Sequence, residues 1–326
     1  MRGLNYDRAN YPATRKDNFA MTEPRLNFTH CPDANGGHRM AWWEWGNPAA
    51  AHVVVCAHGL SRQGRDFDVL AQALVARGGV GGSEAASAGV RVVCPDVVGR
   101  GKSDWLKDPM GYQIPNYAAD MLAMLGQLKP AKLDWIGTSM GGLIGVVVAG
   151  QPGLPLTTPI RKLVLNDVGP VIQWEALQRI GLYLGNAPRF ASLEQAATAM
   201  WAISTSFGPH TKEQWLELSR HMVKPVNEAR GGVTLHYDPV IAVPFKTITK
   251  ESAAAGEAAI WGLYDNITAD TLLVRGAVSD LLSRQTAAQM TQRGPKARLV
   301  EFEGVGHAPT FIAADQVQTA VDFIFS

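Results

Sequence analysis

The 326-residue chain lacks an excess of either charge, since 30 lysines and arginines nearly balance 29 aspartates and glutamates. No basic stretch with interleaved aromatic residues occurs, so nothing in the sequence supports nucleic-acid binding. The length allows one large domain or a domain that carries an insertion. We therefore expect no nucleic-acid partner, and the sequence leaves the oligomeric state open.

Cysteine is also scarce. The chain has three, Cys31, Cys56 and Cys94, an odd number without the spacing of metal ligands. Cys56 and Cys94 lie within apolar runs, where a reduced thiol in the core is the usual state. We expect no disulfide framework, no metal site and no cofactor.

Long hydrophobic runs that would direct the chain to a membrane are missing or interrupted. Residues 1–22 are polar and mixed in charge, which predicts a flexible leader, no secretory signal and a cytoplasmic location. The uncharged stretch 135–160 has the length of a membrane span. It contains Pro152, Pro155 and Pro159, however, so a buried strand–helix unit is favoured and no membrane contact is expected.

Short apolar runs alternate with helical patterns over most of the chain. The expected strands are 26–29, 38–45, 52–57, 90–95, 132–136, 161–166, 271–275 and 297–302. The expected helices are 67–77, 116–128, 142–149 and 314–325. This alternation predicts an α/β protein with a mostly parallel, doubly wound sheet.

The alternation stops between Gly169 and Ile267, where helical patterning and large aromatic residues replace strand signals. The stretch is too long for a loop. We expect residues 170–267 to form an inserted helical cap, and residues 23–169 and 268–326 to form the core. Most of the aromatic residues of this stretch should pack within the cap itself.

One pentapeptide, Gly137-Thr138-Ser139-Met140-Gly141, lies between a predicted strand and a predicted helix. A strand, a tight turn and a helix with serine at the apex are typical of a nucleophile elbow. The flanking glycines are needed because side chains there would clash across the turn. Ser139 is therefore the candidate nucleophile.

A serine hydroxyl needs a base that a carboxylate orients. His307 follows a predicted strand within a glycine-rich loop, and it is the candidate base. The carboxylate should lie between the serine and the histidine in the chain. Asp280 is favoured by its spacing to His307, but Asp167 also ends a strand, and chain order permits both. With Asp280 as the acid, Asp167 is expected to hold the first hinge of the cap by hydrogen bonds.

The tetrahedral intermediate of acyl transfer needs two N–H donors for its oxyanion. Met140, the residue after the nucleophile, is one candidate because its backbone N–H lies at a helix start. Leu60, in the turn His58-Gly59-Leu60-Ser61 after an early strand, is the other.

These motifs together resemble the α/β-hydrolase fold enzymes, among which serine esterases and C–C hydrolases carry caps. The resemblance rests on His58-Gly59, on residues 96–103, on the elbow at 137–142, and on Asp280 and His307. It spans residues 25 to 326 and implies an acyl-enzyme cycle beneath the cap. It also implies that residues 96–103 form a structural loop beside the pocket, without a catalytic role for Asp96 or Ser103.

The expected reaction is hydrolysis of a small, apolar carboxylic ester. The alternative is C–C bond hydrolysis of a vinylogous diketone, as in the ring-fission enzymes that resemble this chain in the elbow and cap. Those enzymes usually carry tryptophan after the catalytic histidine, whereas Ala308-Pro309 follows here. A non-catalytic ligand receptor on the same fold is a third reading.

Overall fold

The computed structural model describes residues 23–79, 89–226 and 231–326. The leader expected at residues 1–22 lies outside the described residues. Within the described ranges, no helix is both long enough and apolar enough to cross a membrane. All three cysteines are buried and free.

An eight-stranded sheet runs through the centre, with a second, three-stranded sheet apart from it. The strands are β1 (Arg25–Cys31), β2 (His38–Gly46), β3 (His52–Ala57), β4 (Arg91–Pro95), β5 (Lys132–Thr138), β6 (Ile160–Asn166), β7 (Arg189–Phe190), β8 (Val223–Pro225), β9 (Val233–Leu235), β10 (Asp270–Gly276) and β11 (Arg298–Phe302). The large sheet has the order β1-β2-β4-β3-β5-β6-β10-β11, and the small one β7-β9-β8. Only β2 runs antiparallel to its neighbours in the large sheet, so the expected mostly parallel sheet is confirmed.

Ten α-helices are described. They are α1 (Asp68–Gly78), α2 (Ile114–Leu128), α3 (Met140–Gly150), α4 (Trp174–Tyr183), α5 (Leu193–Ser204), α6 (Lys212–Arg220), α7 (Ala242–Lys246), α8 (Lys250–Asp265), α9 (Arg284–Met290) and α10 (Ala314–Phe325). Helices α1 and α10 pack together on one face of the sheet, and α2, α3 and α8 pack on the other.

The central strands read as continuous apolar runs because helices cover both of their faces. Along β3, Val53 and Val55 join the core on one face, while Val54 joins the core on the other. All three side chains are fully buried. Because the central strands run parallel, their carboxyl ends lie at one edge of the sheet, where ligands bind in sheets of this type.

The stretch predicted as a helical cap, residues 170–267, departs from the prediction in two ways. It is not purely helical, since it contains the small antiparallel sheet β7-β9-β8. Its last helix, α8, packs against α3 of the core, so closely that a Cβ on Gly150 would lie 2.1 Å from the Leu263 carbonyl oxygen. Residues 250–265 of the predicted cap thus pack on the core, while the bounds of the cap stay a prediction.

The aromatic residues of this stretch divide between three environments. Trp201 and Trp215 lie in a separate cluster formed by α5 and α6, with ring centroids 5.0 Å apart. Trp261 and Tyr264 join the main core cluster, as does Tyr237. Tyr183, Phe207 and Tyr237 line a cavity above the sheet edge. The segment 170–267, called the cap below, thus has a small apolar cluster of its own and also supplies walls to the cavity.

Candidate active site

Ser139 lies at the apex of a sharp turn between β5 and α3. Its backbone has φ 52° and ψ −118°, a conformation that non-glycine residues rarely adopt and that is found at functional sites. A Cβ on Gly137 would lie 2.3 Å from the Gly141 carbonyl oxygen, and one on Gly141 would lie 2.0 Å from the Ala57 carbonyl oxygen. Glycine is therefore required on both sides of the serine.

His307 connects this serine to a carboxylate. Its Nε2 lies 2.9 Å from Ser139 Oγ, and its Nδ1 lies 2.8 Å from an oxygen of Asp167. Because a carboxylate can only accept, Nδ1 carries a proton, and Nε2 is left to accept the serine hydroxyl proton. The imidazole is 15% exposed and the carboxylate is fully buried, so the chain of hydrogen bonds lies largely out of water.

Asp167 directly follows β6, in a left-handed backbone conformation with φ 55°. One of its oxygens accepts the Gly276 N–H at 2.8 Å, and the other accepts both the Ser279 hydroxyl at 2.6 Å and His307. A buried carboxylate is costly unless such donors surround it. These donors hold Asp167 in one orientation towards the imidazole.

The prediction that Asp280 orients His307 is wrong. Asp280 is exposed and accepts a hydrogen bond from Arg179 Nη2 at 2.6 Å, whereas the residue before it, Ser279, turns inwards to Asp167. The loop after β10 therefore supports the acid but does not supply it. Sequence reasoning retained Asp167 as the rival; what it lacked was the strand order, which places β6 between β5 and β10.

The turn that contains Leu60 is built around a neutral histidine. His58 Nδ1–H donates to the Gly59 carbonyl at 2.7 Å, and Nε2 accepts the Val97 N–H at 2.9 Å. Complete burial lowers the pKa of His58 to about 3, which keeps this arrangement uncharged. Arg100 Nε donates to the Leu60 carbonyl at 2.8 Å, which fixes the far side of the turn.

The two candidate oxyanion donors belong to different elements, Leu60 to the turn after β3 and Met140 to the start of α3. Among the described residues, none accepts a backbone hydrogen bond from the Leu60 N–H, and Leu60 lines the cavity together with Ser139. Met140 begins α3, and the first N–H groups of a helix have no partner within it. Both N–H groups therefore stay candidates for stabilising an oxyanion, which requires two such donors.

The segment 96–103 contacts the backbone around the site rather than the serine. Asp96 accepts the Gly64 and Lys102 N–H groups and the Trp43 indole, and burial raises its pKa to about 6. Ser103 donates to the Asp96 carbonyl oxygen and accepts the Ala41 N–H. These contacts are those of a structural loop, as the resemblance implied.

Three further residues support the site and were missed from the sequence. Asn166 Nδ2 donates to the Thr138 hydroxyl at 3.0 Å and to the Pro309 carbonyl at 2.8 Å, tying the elbow strand to the histidine loop. Ser206 of the cap donates to the His307 carbonyl at 3.0 Å. Ser279, described above, is the third. Their contacts join segments far apart in the chain and leave no local signal.

A cavity of about 240 Å³ opens above Ser139 and His307. Its cap side is mainly apolar, and the charged side chains that line it within the described part of the chain are Arg62 and Arg179. The principal apolar residues on that side are Ile180, Tyr183, Met200, Ile203, Phe207 and Leu235. An apolar pocket with a few convergent polar groups is the usual form of a small-molecule site.

One group with metal-binding residue types lies elsewhere, between β1, β2 and α2. The candidate ligand atoms of Cys31, His38 and Asp120 lie within 4.8 Å of one another. Both nitrogens of His38 are already engaged, one with Asp120 and one with Asp33, each at 3.0 Å. The arrangement is a charged hydrogen-bond clamp between a loop and a helix.

The fold and site define a class of protein, and comparison with known families agrees. The alpha/beta hydrolase family matches residues 54–319, and the chain belongs to this family. The chain is similar, with 50% identity over 301 residues, to a 3-hydroxybutyrate-oligomer hydrolase of Cupriavidus necator. The match covers 92% of this chain and 97% of that protein.

Solved structures agree with this assignment. The chain is 33% identical to an alpha/beta hydrolase from Novosphingobium aromaticivorans, with a TM-score of 0.76 over 94% of this chain and 99% of that one. An E-2-(acetamidomethylene)succinate hydrolase shares 18% identity, with a TM-score of 0.73 over 93% of this chain and 100% of that one. At this identity the second likeness concerns the fold alone. The protein is thus an alpha/beta hydrolase.

Proposed function

We propose that the protein hydrolyses carboxylic esters through an acyl-enzyme formed on Ser139, with His307 as general base and Asp167 as the carboxylate that orients it. The observation that carries the proposal is the continuous chain of hydrogen bonds from Ser139 Oγ through the imidazole to Asp167. This is the arrangement that serine needs to act as a nucleophile at neutral pH.

The proposed cycle follows from this geometry. Ser139 Oγ attacks the ester carbonyl carbon while His307 Nε2 takes its proton, and the Leu60 and Met140 N–H groups stabilise the oxyanion. Collapse of the intermediate breaks the ester C–O bond, and the departing alcohol takes the proton from Nε2. A water molecule, deprotonated by the same nitrogen, then attacks the acyl-enzyme; the bond between Ser139 Oγ and the acyl carbon breaks, Oγ takes the proton from Nε2, and the acid is released. Asp167 stays ionised and holds the imidazolium in place.

For the substrate, we propose short ester chains of a hydroxy acid such as 3-hydroxybutyrate. The similarity to the Cupriavidus necator enzyme supports this class. Such chains are apolar between their ester groups, and the cap side of the cavity is mainly apolar. A cytoplasmic location stays a prediction, with which the three free cysteines agree.

C–C bond hydrolysis of a diketone is the competing activity. The small Ala308 lines the cavity directly after His307, where the ring-fission enzymes usually carry tryptophan. The ester reading is favoured by this residue and by the similarity to an oligomer hydrolase. A ligand receptor would not need the orienting contacts around Asp167.

A substrate panel tests the proposal. Purified wild type and the Ser139→Ala variant are assayed with 3-hydroxybutyrate trimer, with p-nitrophenyl esters of increasing acyl length and with a ring-fission diketone. We expect turnover of the trimer and of short esters by wild type alone. Diketone turnover without ester turnover would favour the C–C reading, and absence of all turnover would favour a receptor.

A further inference from the structure

We propose that Arg179 binds the free carboxylate of the substrate, and that it exchanges its ion pair with Asp280 for that carboxylate. The inference rests on the proposed ester hydrolysis and adds a determinant of specificity to it. It predicts a preference for ester chains that end in a free carboxylate over the same chains with a neutral end.

Arg179 lies on α4, the first helix of the cap, and lines the same cavity as Ser139 and His307. Its Nη2 contacts Asp280 Oδ2 at 2.6 Å, in a pair whose side chains are 42% and 51% exposed. Among the described residues, this single contact is the hydrogen bond that its guanidinium makes. A guanidinium has five N–H donors, so most of its capacity remains for a ligand.

The other cation of the cavity, Arg62, is not available in this way. Its Nε and Nη2 hold both oxygens of Asp66, at 2.5 and 2.8 Å, and Nη2 also lies 3.3 Å from the Leu218 carbonyl oxygen. The side chains of this pair are only 13% and 17% exposed. Breaking a largely buried pair leaves an uncompensated charge, which is strongly unfavourable.

At Arg179, replacing Asp280 by a substrate carboxylate is favourable because the ion pair that must be broken is exposed. Exposed ion pairs contribute little, because water solvates both partners when they separate. Asp280 would remain half-exposed and solvated, while its neighbour Ser279 keeps its hydrogen bond to Asp167. A substrate carboxylate beside apolar walls would form a stronger, charge-assisted pair with the guanidinium.

The chemistry of a linear hydroxy-acid ester also fixes which fragment meets Arg179. When any ester bond of such a chain is cleaved, the acyl fragment keeps the free hydroxyl end and the alcohol fragment keeps the carboxylate end. Arg179 would therefore hold the leaving alcohol. The released 3-hydroxy acid carries the same carboxylate, so it should also inhibit by binding at this position.

The test compares the 3-hydroxybutyrate dimer with its terminal carboxamide, which has the same single ester bond and no charge. The measured quantity is the ratio of kcat/KM for the dimer to kcat/KM for the carboxamide, because a general loss of activity cancels in the ratio. Arg179→Gln should lower this ratio about 10-fold or more, chiefly through KM, and Arg179→Lys should restore part of it. Asp280→Asn should raise it, since the competing carboxylate is gone.

A matched control is available in the Arg293–Asp265 pair, which has a similar contact of 2.5 Å and similar exposure, 44% and 39%, and does not line the cavity. Arg293→Gln should leave the ratio unchanged.

A ratio within twofold of wild type in Arg179→Gln would overturn the carboxylate site. A ratio that does not rise in Asp280→Asn would overturn the exchange. If wild type hydrolyses the carboxamide but Ser139→Ala does not, the proposed function stands independently of both results; if wild type hydrolyses neither dimer, the inference falls with that function.

Discussion

The two walls of the cavity are built in different ways. On the core side, Ser139 and Asp167 occupy strained backbone positions at the ends of neighbouring strands. The Ser139 N–H donates to the Asn166 carbonyl, and Asp167 accepts hydrogen bonds from Gly276 and Ser279. On the cap side, apolar side chains from α4, α5 and the small sheet meet the same space, and the main charged contact is the exposed Arg179–Asp280 pair. We therefore expect the core to determine the chemistry and the cap to determine the substrate.

The largest effect is expected from the two carboxylates that sequence reasoning could not separate. Asp167→Asn should lower kcat on short esters by about 10³-fold or more, because the amide no longer holds the imidazole in the required tautomer. Asp280→Asn should lower it by less than about 5-fold, because Asp280 does not touch His307. Steady-state kinetics on one p-nitrophenyl ester measure both effects. A larger loss in Asp280→Asn than in Asp167→Asn would show that Asp280 is the acid and that the account is wrong.

A second difference concerns tolerance of a methyl group. Gly141→Ala should cost several kcal/mol of folding stability, about 3 or more, since its Cβ would meet the Ala57 carbonyl oxygen at 2.0 Å. Gly181→Ala, on cap helix α4, meets nothing closer than 3.8 Å and should be neutral or stabilise by up to about 1 kcal/mol. Thermal unfolding compares the two variants, and equal loss in both would remove the distinction between a tight core and a tolerant cap.

The hydrogen bonds of His38 with Asp33 and Asp120 should stabilise the core away from the cavity in a pH-dependent way. Burial alone would lower the pKa of His38, but the hydrogen bonds with Asp120 and Asp33 outweigh it and raise the pKa to about 9. A folded pKa above the unfolded value of 6.5 stabilises the protein fully below pH 6.5, and this contribution is lost as the pH rises through 9. Wild type should exceed His38→Gln by about 1–3 kcal/mol in the free energy of unfolding at the lower pH.

Chemical denaturation at several pH values measures this difference, which should shrink between pH 6.5 and 9. A difference that is constant across that range would mean that packing, rather than charge, accounts for the contribution of His38. The activity of the folded variant on short esters serves as the control, since His38 does not line the cavity.

The smallest effect is expected in the cap. Met200 lies in the cap's own cluster and lines the cavity, and Met200→Ala would enlarge the space above Ser139. We expect preference among p-nitrophenyl esters to move towards longer acyl chains, by about 3- to 10-fold in relative kcat/KM. A uniform change across all chain lengths would show that Met200 acts on cap folding and not on the shape of the pocket.

Much of this architecture could be predicted because it depends on local patterns. Buried parallel strands require continuous apolar runs, and the strained elbow requires glycine on both sides of Ser139, so both are visible in the chain. The role of Asp167 depends on strand order and on which residue of the loop after β10 turns inwards. A shift of one position there places Ser279, instead of Asp280, against the site.

The cap was less predictable for a similar reason. Strands β7, β8 and β9 have only two or three residues each, too few to show an alternating pattern. The packing of α8 on α3 was also not visible, because the pattern of α8 does not show which element it contacts. Asn166 and Ser206 act through partners more than 100 positions away, as with Pro309 and His307, and such contacts leave no spacing to detect.

Labelling with a fluorophosphonate probe tests most directly the claim that Ser139, His307 and Asp167 carry the chemistry. Peptide mapping should locate the label on Ser139 in wild type, no label should form in Ser139→Ala, and labelling should slow markedly in Asp167→Asn but little in Asp280→Asn. A label on another residue, or full labelling and turnover in Ser139→Ala, would contradict the account.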